Sequence, residues 1–276
     1  MKTEEKEMNT ADLTVALTQL VCSPEKNENL EKMEKYVKEA ARKKADLIAF
    51  PEGFMFHHSK EESLENKFKK SESLNGKFVS EVKKLAKKYK IYITFGMHES
   101  ANSGFRTYNT TVTIDDKGKI ANVYRKTHLY DAFDMRESDQ NIPGTEKPKV
   151  FKIKNINIGV IVCYEIRFPE MSRTLALNGA DLILVPSNWI KGYNKEDFWL
   201  SSIKTRAMEN TVYVGTSNQI GNISTGITSF VDPLGIIVER ATEEEEMFIQ
   251  YVRKDRILQA RKILPLLSQR NTSIYF

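Results

Sequence analysis

Apolar and polar positions along this chain follow two alternating rhythms. LTVALTQLV (13–21) is a β-rich run that stops before the polar stretch SPEKNEN. Leu30, Met33, Val37 and Ala40 then recur three and four apart, the spacing of a helix with one apolar face. ADLIAFP (45–51) is a short apolar run closed by proline, which reads as a strand buried on both faces. Phe78, Val82, Leu85 and Tyr89 mark a second helix, and IYITFGMHE (91–99) a further strand. NTTVTID (109–115), the turn Asp116-Lys117-Gly118 and KIANVYRK (119–126) predict a hairpin.

The second half repeats this grammar. VFKIKN and INIGVIVCY supply a hairpin and a buried strand, and PEMSRTLALNG a helix closed by Gly179. ADLILVPS (180–187) is followed by the helix EDFWLSSIKTRAMEN, with Phe198, Ile203 and Ala207 placed on one side. TVYVGTSN, TSFVDPLGIIVER and MFIQYV are further strands, and RKDRILQARKIL (253–264) is a closing helix. ADLIAFPE (45–52) and ADLILVPS (180–187) read as one strand used twice, each after an amphipathic helix. The expectation is an α/β fold with two packed sheets and helices outside. One domain spans 12–265, with a polar N-terminal extension (1–11) and a C-terminal tail (266–276); no Pro- or Gly-rich linker divides them.

Composition narrows the function classes. The chain carries 42 Lys+Arg against 37 Asp+Glu, a net charge of +5. The basic residues are interleaved with acids, and KKLAKKYK (83–90) falls where a helix pattern places a solvated face, so no nucleic-acid partner is expected. The longest apolar stretches, such as IGVIVCY (158–164), are far short of the roughly 20 residues of a membrane span. Two cysteines make no disulfide framework; as reduced thiols they point to the cytoplasm.

Three residues stand where α/β proteins carry chemistry. Cys163 ends the apolar run INIGVIV ahead of a helix start at Pro169, a tight turn that exposes a thiol and whose helix N-terminus favours the thiolate. Read alone, it fits a packed structural cysteine better than a catalytic one. Glu52 follows the buried strand DLIAFP, at the carboxyl end where such sheets place functional groups, though a surface glutamate fits the same position. In VYRKTHLY, alternation puts Tyr124 and Lys126 on one side and Val123 and Arg125 on the other. A lysine held inward is a fixed positive charge for a developing oxyanion. On its own it also suits a solvated strand end.

Together these residues form a constellation. FPEGF (50–54), YRKTHLYD (124–131) and VCYEIRFPE (162–170) resemble the three signature stretches of the nitrilase, or carbon–nitrogen hydrolase, superfamily. RESDQNIPG (136–144), GADLILVPSNW (179–189), RAMENTVYVGTSNQIG (206–221) and VDPLG (231–235) resemble it too. The resemblance implies a four-layer α-β-β-α sandwich and a Glu–Lys–Cys triad. Glu52 is the implied general base, Cys163 the nucleophile and Lys126 the oxyanion stabiliser, with the backbone N–H of Tyr164. Glu137 in RESDQ matches a second glutamate of the family that orients the site. The implied reaction is hydrolysis of a small linear amide to an acid and ammonia through a cysteine thioester.

Further residues are candidates for holding the substrate. Arg167 suits a substrate carboxylate or, alternatively, an ion pair with Glu165 or Glu170. Asn188 and Trp189 follow the strand DLILVPS and line the pocket, with core packing the alternative for Trp189. Phe54 and Tyr130 adjoin triad members and shape the acyl site. Cys22 reads as a packed core thiol. His57-His58 has no second ligand cluster, and no G-x-G-x-x-G or P-loop pattern occurs, so no metal or cofactor is expected.

The neighbourhood of FPEGF, SESLNGKF (71–78), YRKTHLYD and RESDQNIPG is most similar to the deaminated glutathione amidase and ω-amidase-like branch, whereas VPSNWIKGYNKEDFW departs from it. Broader aliphatic amides, N-carbamoyl compounds, nitriles and acyl transfer to an amine stay open, as does a non-catalytic binding protein on the same fold. The resemblance also implies a homodimer or higher homo-oligomer through the helix 169–179; separately, the apolar tail end Ile274, Tyr275 and Phe276 suits either a crossing to a neighbour or a frayed terminus.

Overall fold

The strands form two six-stranded leaves, one built from the first half of the chain and completed by the last strand, the other from the second half. The computed structural model describes residues 11–59, 62–102 and 104–275, so the N-terminal extension up to residue 10 and Phe276 of the tail lie outside the described residues. The first half runs β1 (Leu13–Leu20), α1 (Lys26–Arg42), β2 (Leu47–Ala49), α2 (Leu64–Lys70), α3 (Lys77–Tyr89), β3 (Tyr92–Ser100), β4 (Thr107–Ile114) and β5 (Ile120–Arg125). The second runs β6 (Val150–Ile153), β7 (Ile156–Val160), α4 (Pro169–Leu177), β8 (Leu182–Ser187), α5 (Lys195–Asn210), β9 (Tyr213–Gln219), β10 (Ser229–Val231) and β11 (Ile237–Arg240). β12 (Glu246–Val252) and α6 (Lys254–Ile263) close the chain.

The two leaves have matching topology. β1, β2 and β3 are parallel, and β4 and β5 continue antiparallel, with β12 antiparallel on the other side of β1. β7, β8 and β9 are parallel in the same way, with β10 and β11 antiparallel beyond them and β6 antiparallel to β7. The repeated ADLI strands, β2 and β8, therefore occupy equivalent places. The leaves join at the carboxyl ends of two inner strands, β1 and β9, where Gln19 and Leu20 pair with Asn218 and Gln219, so the two expected sheets form one continuous 12-stranded sheet.

Alternation along the strands separates the layers. Val15, Leu17, Leu47 and Ala49 share one apolar cluster with β7, β8, β9, α4 and α5, which joins the sheet-to-sheet interior to the second helix layer. Their neighbours Ala16, Leu20, Ile48 and Phe50 face the other way, into a cluster with Met33 and Val37 of α1 and Phe78 and Val82 of α3. The fold is thus an α-β-β-α sandwich. Each fully buried leucine contributes about 1.5–3 kcal/mol, so Leu17→Ala costs several kcal/mol.

Two local readings change. In α5 the buried stripe is Trp199, Ile203, Arg206, Ala207 and Asn210, while Phe198 is 37% exposed. Position 199, not 198, lies one and two turns from 203 and 206, and the indole N–H of Trp199 donates to the Ile227 carbonyl (3.1 Å). The helix α2, with the buried Lys67 on it, was not foreseen from the pattern. The lysines of α3 do face outward, Lys84 pairing with Glu81 and Lys88 with Glu34.

Because β1, β2, β7, β8 and β9 all run parallel, their carboxyl ends share one rim of the sheet. Glu52 follows β2, Cys163 follows β7 and Asn188 follows β8, so three chain segments far apart in sequence converge there.

Candidate active site

The nucleophile candidate sits on a strained turn. After β7 the chain enters a short 3-10 helix, Cys163–Arg167, and Cys163 itself has φ 47°, a left-handed conformation that non-glycine residues adopt at a cost of about 1–2 kcal/mol. That turn presents the thiol at the rim instead of burying it in the strand. Cys163 is 8% exposed and opens into a cavity of 470 Å³ that Glu52, Lys126 and Glu137 also line.

A single buried ammonium links the two carboxylates. The Lys126 Nζ donates to Glu52 Oε1 (2.9 Å) and to Glu137 Oε2 (2.8 Å). Asn109 bridges the same pair, its Nδ2 donating to Glu52 Oε1 (2.7 Å) and Glu137 Oε1 (3.0 Å). The backbone N–H of Asn188 donates to Glu52 Oε2 (2.8 Å), and that of Tyr130 to Glu137 Oε2 (2.7 Å). Asn141 adds a bond to Glu137 Oε1 (2.9 Å). Both carboxylates are thereby fixed in place by neighbours from several elements.

The electrostatics follow from this packing. Burial opposes the charge on Lys126, but Glu137 and Glu52 overcome it and hold the ammonium well above the ordinary lysine range. Burial also opposes ionisation of Glu137, yet Lys126, Asn109 and the Tyr130 N–H bring it down to about 2. Cys163 goes the other way. Burial and then the Glu52 carboxylate push its thiol well above the ordinary value, outweighing Lys126 and the Asn188 N–H. The thiolate expected at a helix N-terminus is therefore not favoured here: burial and the neighbouring Glu52 hold the proton on the Cys163 sulfur.

The profile of the carbon–nitrogen hydrolase family matches residues 14–262. This chain belongs to that family. It is 32% identical to the deaminated glutathione amidase of Homo sapiens over 95% of this chain and 83% of that protein. It is 28% identical to the deaminated glutathione amidase of Escherichia coli O157:H7, over 94% of this chain and 97% of that protein. The C. elegans NitFhit structure superposes with a TM-score of 0.87 at 26% identity, covering 96% of this chain and 66% of that one. This chain is thus a carbon–nitrogen hydrolase, with relatives named as amidases.

In this carbon–nitrogen hydrolase a second, much smaller pocket of about 20 Å³ also adjoins Cys163. Tyr130, Tyr164, Arg167, Asn188, Trp189 and Lys195 line it. Arg167 forms no ion pair with Glu165 or Glu170 among the described residues; its guanidinium lies over the Trp189 ring (4.7 Å), and Nε and Nη2 have no partner. Lys195 donates to the Tyr130 hydroxyl (2.8 Å), and burial and Arg167 both lower its pKa. Trp189 is also packed, its indole N–H donating to the Lys195 carbonyl (2.7 Å).

Phe54 is a correction. It is fully buried in the outer core against Phe50 (5.1 Å) and does not line the cavity. The reason is Gly53, whose φ of 62° turns the chain away from the rim directly after Glu52. Gly96 of β3 passes so close that a Cβ there would lie 2.3 Å from the Gly53 nitrogen. Cys22 is packed as expected, its thiol against the Ser23, Gly53 and Phe54 carbonyls (3.6–3.7 Å) and pushed by burial to about 12.

Several site residues escaped the sequence reading. The sequence offers Glu165 only as a partner for Arg167. It is fully buried and accepts from the Tyr124 hydroxyl (2.7 Å), Thr127 N (2.8 Å), Thr127 Oγ1 (2.8 Å), His128 N (3.2 Å) and Val162 N (2.8 Å). One carboxylate thus ties the segment after Lys126 to the turn that carries Cys163. Asn109 had a signal, a polar residue opening a β-branched run. The Gln219 side chain donates to the Glu52 carbonyl (2.7 Å) where the leaves join, a contact that no local pattern reveals.

Proposed function

We propose that this enzyme hydrolyses a linear amide through a thioester on Cys163, with Glu52 as the proton carrier and Lys126 as the oxyanion holder. The observation that carries the reading is the Lys126 ammonium between Glu52 and Glu137, in one cavity with a thiol whose proton Glu52 can accept. The Cys163 S–H proton passes to Glu52 as sulfur attacks the carbonyl carbon, and the carbonyl electron pair moves to oxygen beside Lys126. The C–N bond then breaks, the departing nitrogen takes the proton from Glu52, and a thioester remains. Water gives a proton to Glu52 as its oxygen attacks the thioester; the sulfur leaves and regains that proton. Glu137 keeps Lys126 charged and in place throughout.

The acyl portion of the substrate carries a carboxylate. Arg167 and Lys195 present two cations with no acidic partner among the described residues, in the small pocket that adjoins Cys163. This supports an ω-amide of a dicarboxylic acid, and deaminated glutathione, for which the relatives are named, belongs in the same assay. Ammonia or amine release from glutaramate, acetamide, an N-carbamoyl amino acid and a nitrile tests the reading. Turnover fastest on glutaramate is expected; preference for the nitrile or for acetamide contradicts it. Self-association through α4 and the exposed tail residues Ile274 and Tyr275 is part of the same proposal, and light scattering in solution checks it.

A further inference from the structure

Glu52 and Glu137 flank the same ammonium, yet the proposed mechanism has one carry a proton while the other stays charged. The donors around them account for the difference. An ionised carboxylate offers about four acceptor sites, two on each oxygen. Glu137 has four taken: Oε1 accepts from Asn109 and Asn141, and Oε2 from Lys126 and the Tyr130 N–H. Glu52 has three taken: Oε1 accepts from Lys126 and Asn109, and Oε2 from the Asn188 N–H alone among the described residues. The Asn188 N–H also lies against the Cys163 sulfur, so the open site, on Oε2, is on the side of the nucleophile.

Asn109 closes the Oε1 atoms of both glutamates. It sits on β4, 6% exposed, and its carbonyl accepts the Lys126 N–H (2.9 Å). Its Nδ2 has two protons and directs one to Glu52 Oε1 (2.7 Å) and the other to Glu137 Oε1 (3.0 Å). The amide cannot be reversed, because an ionised carboxylate only accepts. Its own Oδ1 is enclosed and has no partner. The side chain is thus held by the two carboxylates it bridges.

We infer that Asn109 is a positioning residue that steers the transferred proton: by filling Oε1 of both glutamates it leaves Glu52 Oε2 to take the proton of Cys163. This inference rests on the amidase reading of the site and deepens it. The proton moves from sulfur to Oε2 as the C–S bond forms. It moves from Oε2 to the departing nitrogen as the C–N bond breaks. Without Asn109, Oε1 of each glutamate also accepts a proton, and a proton held there is not on the oxygen next to the thiol. Asn109 touches neither the nucleophile nor the substrate in this scheme and acts through Glu52.

The test compares two substrates with one acyl group, glutaramate and the phenyl monoester of glutaric acid, in the wild type and in Asn109→Leu. The amide nitrogen must be protonated as it leaves, whereas phenoxide leaves as the anion. In Asn109→Leu, kcat/KM on glutaramate is expected to fall about 10- to 100-fold, mainly through kcat, with the ester within about threefold of the wild type. Because the ratio is taken within one sample, partly folded protein does not move it, and Asn109→Ala is read in the same way. An equal fall on both substrates overturns the inference, since Asn109 would then only hold the site together. An unchanged rate on glutaramate overturns it too. If the wild type hydrolyses neither compound, the amidase reading fails on this acyl group, and alkylation of Cys163 by iodoacetamide, followed by mass spectrometry against pH, decides instead. With two acceptor sites reopened, the pH below which alkylation fades is expected to rise by about one unit in Asn109→Leu. Coincident profiles for the variant and the wild type would overturn the inference.

Discussion

The two cysteines stand in comparable places and differ in everything that matters for reactivity. Cys22 follows β1 and Cys163 follows β7, the equivalent first parallel strands of the two leaves. Both are buried, and burial raises both thiols. Cys22, however, points into three carbonyl oxygens, which accept its S–H but cannot carry the proton away. Cys163 is thrown by a positive φ into a cavity, beside a carboxylate and an ammonium. Burial alone therefore does not make a nucleophile. The proposed mechanism adds a strained turn, a proton acceptor and a cation for the developing oxyanion, and assigns the last two to residues of the opposite leaf.

The largest test of this contrast exchanges the thiols for methyl groups. Cys163→Ala is expected to lower kcat on the best amide by at least about 10⁴-fold with the fold intact. Cys22→Ala is expected to leave kcat within about twofold and to cost about 1 kcal/mol in denaturant unfolding. Loss of activity in the second variant, or its survival in the first, breaks the comparison. Next in size is Glu52→Gln, which keeps the shape and loses the proton acceptor. Steady-state kinetics should show kcat down by about 10²–10⁴-fold, and an effect below tenfold would remove Glu52 from the proton path.

Much of this arrangement was legible from the chain alone, and the remainder was not for identifiable reasons. The repeat of ADLI at residues 45 and 180 marks the two leaves because a strand buried on both faces needs an unbroken apolar run. The apolar stripes of α1 and α3 and the shared side of Tyr124 and Lys126 follow from period alone, but that this side faces inward does not. The pairing of β1 with both β12 and β9 does not, because register between distant strands leaves no periodic trace. Phe54 could not be placed, since one glycine at a positive φ reverses which side the next residue takes. Lys67 sits in the run KFKK, whose charges look solvated until the helix is known to border a cavity.

Smaller effects sharpen the contribution of each leaf. Glu165→Gln keeps most of the acceptor geometry but removes the charge that gathers the N–H groups of Thr127, His128 and Val162. A fall in kcat of about 10- to 100-fold with KM little changed is expected, since the cost is positioning of Lys126 against Cys163. An equal rise in KM would assign Glu165 to substrate binding instead.

The smallest effect is on stability in acid. The pKa of Glu137 lies near 2 in the fold against an ordinary value of 4.5, so the folded state binds that proton less readily than the unfolded chain. Its contribution is present above about pH 4.5 and lost as pH falls towards 2. Denaturant unfolding across that window should show Glu137→Gln with a shallower loss of stability than the wild type. Identical slopes would mean that another carboxylate dominates.

The central claim, that the second leaf supplies the nucleophile and the first leaf its proton acceptor and oxyanion cation, is tested most directly by trapping the acyl-enzyme. The wild-type protein is mixed with the p-nitroanilide of glutaric acid, quenched in acid during turnover and measured by intact-mass and peptide-mapping mass spectrometry. The expected result is a glutaryl group on Cys163 and none on Cys22. A glutaryl group on Cys22, or turnover with no acylated cysteine at any quench time, would contradict the account.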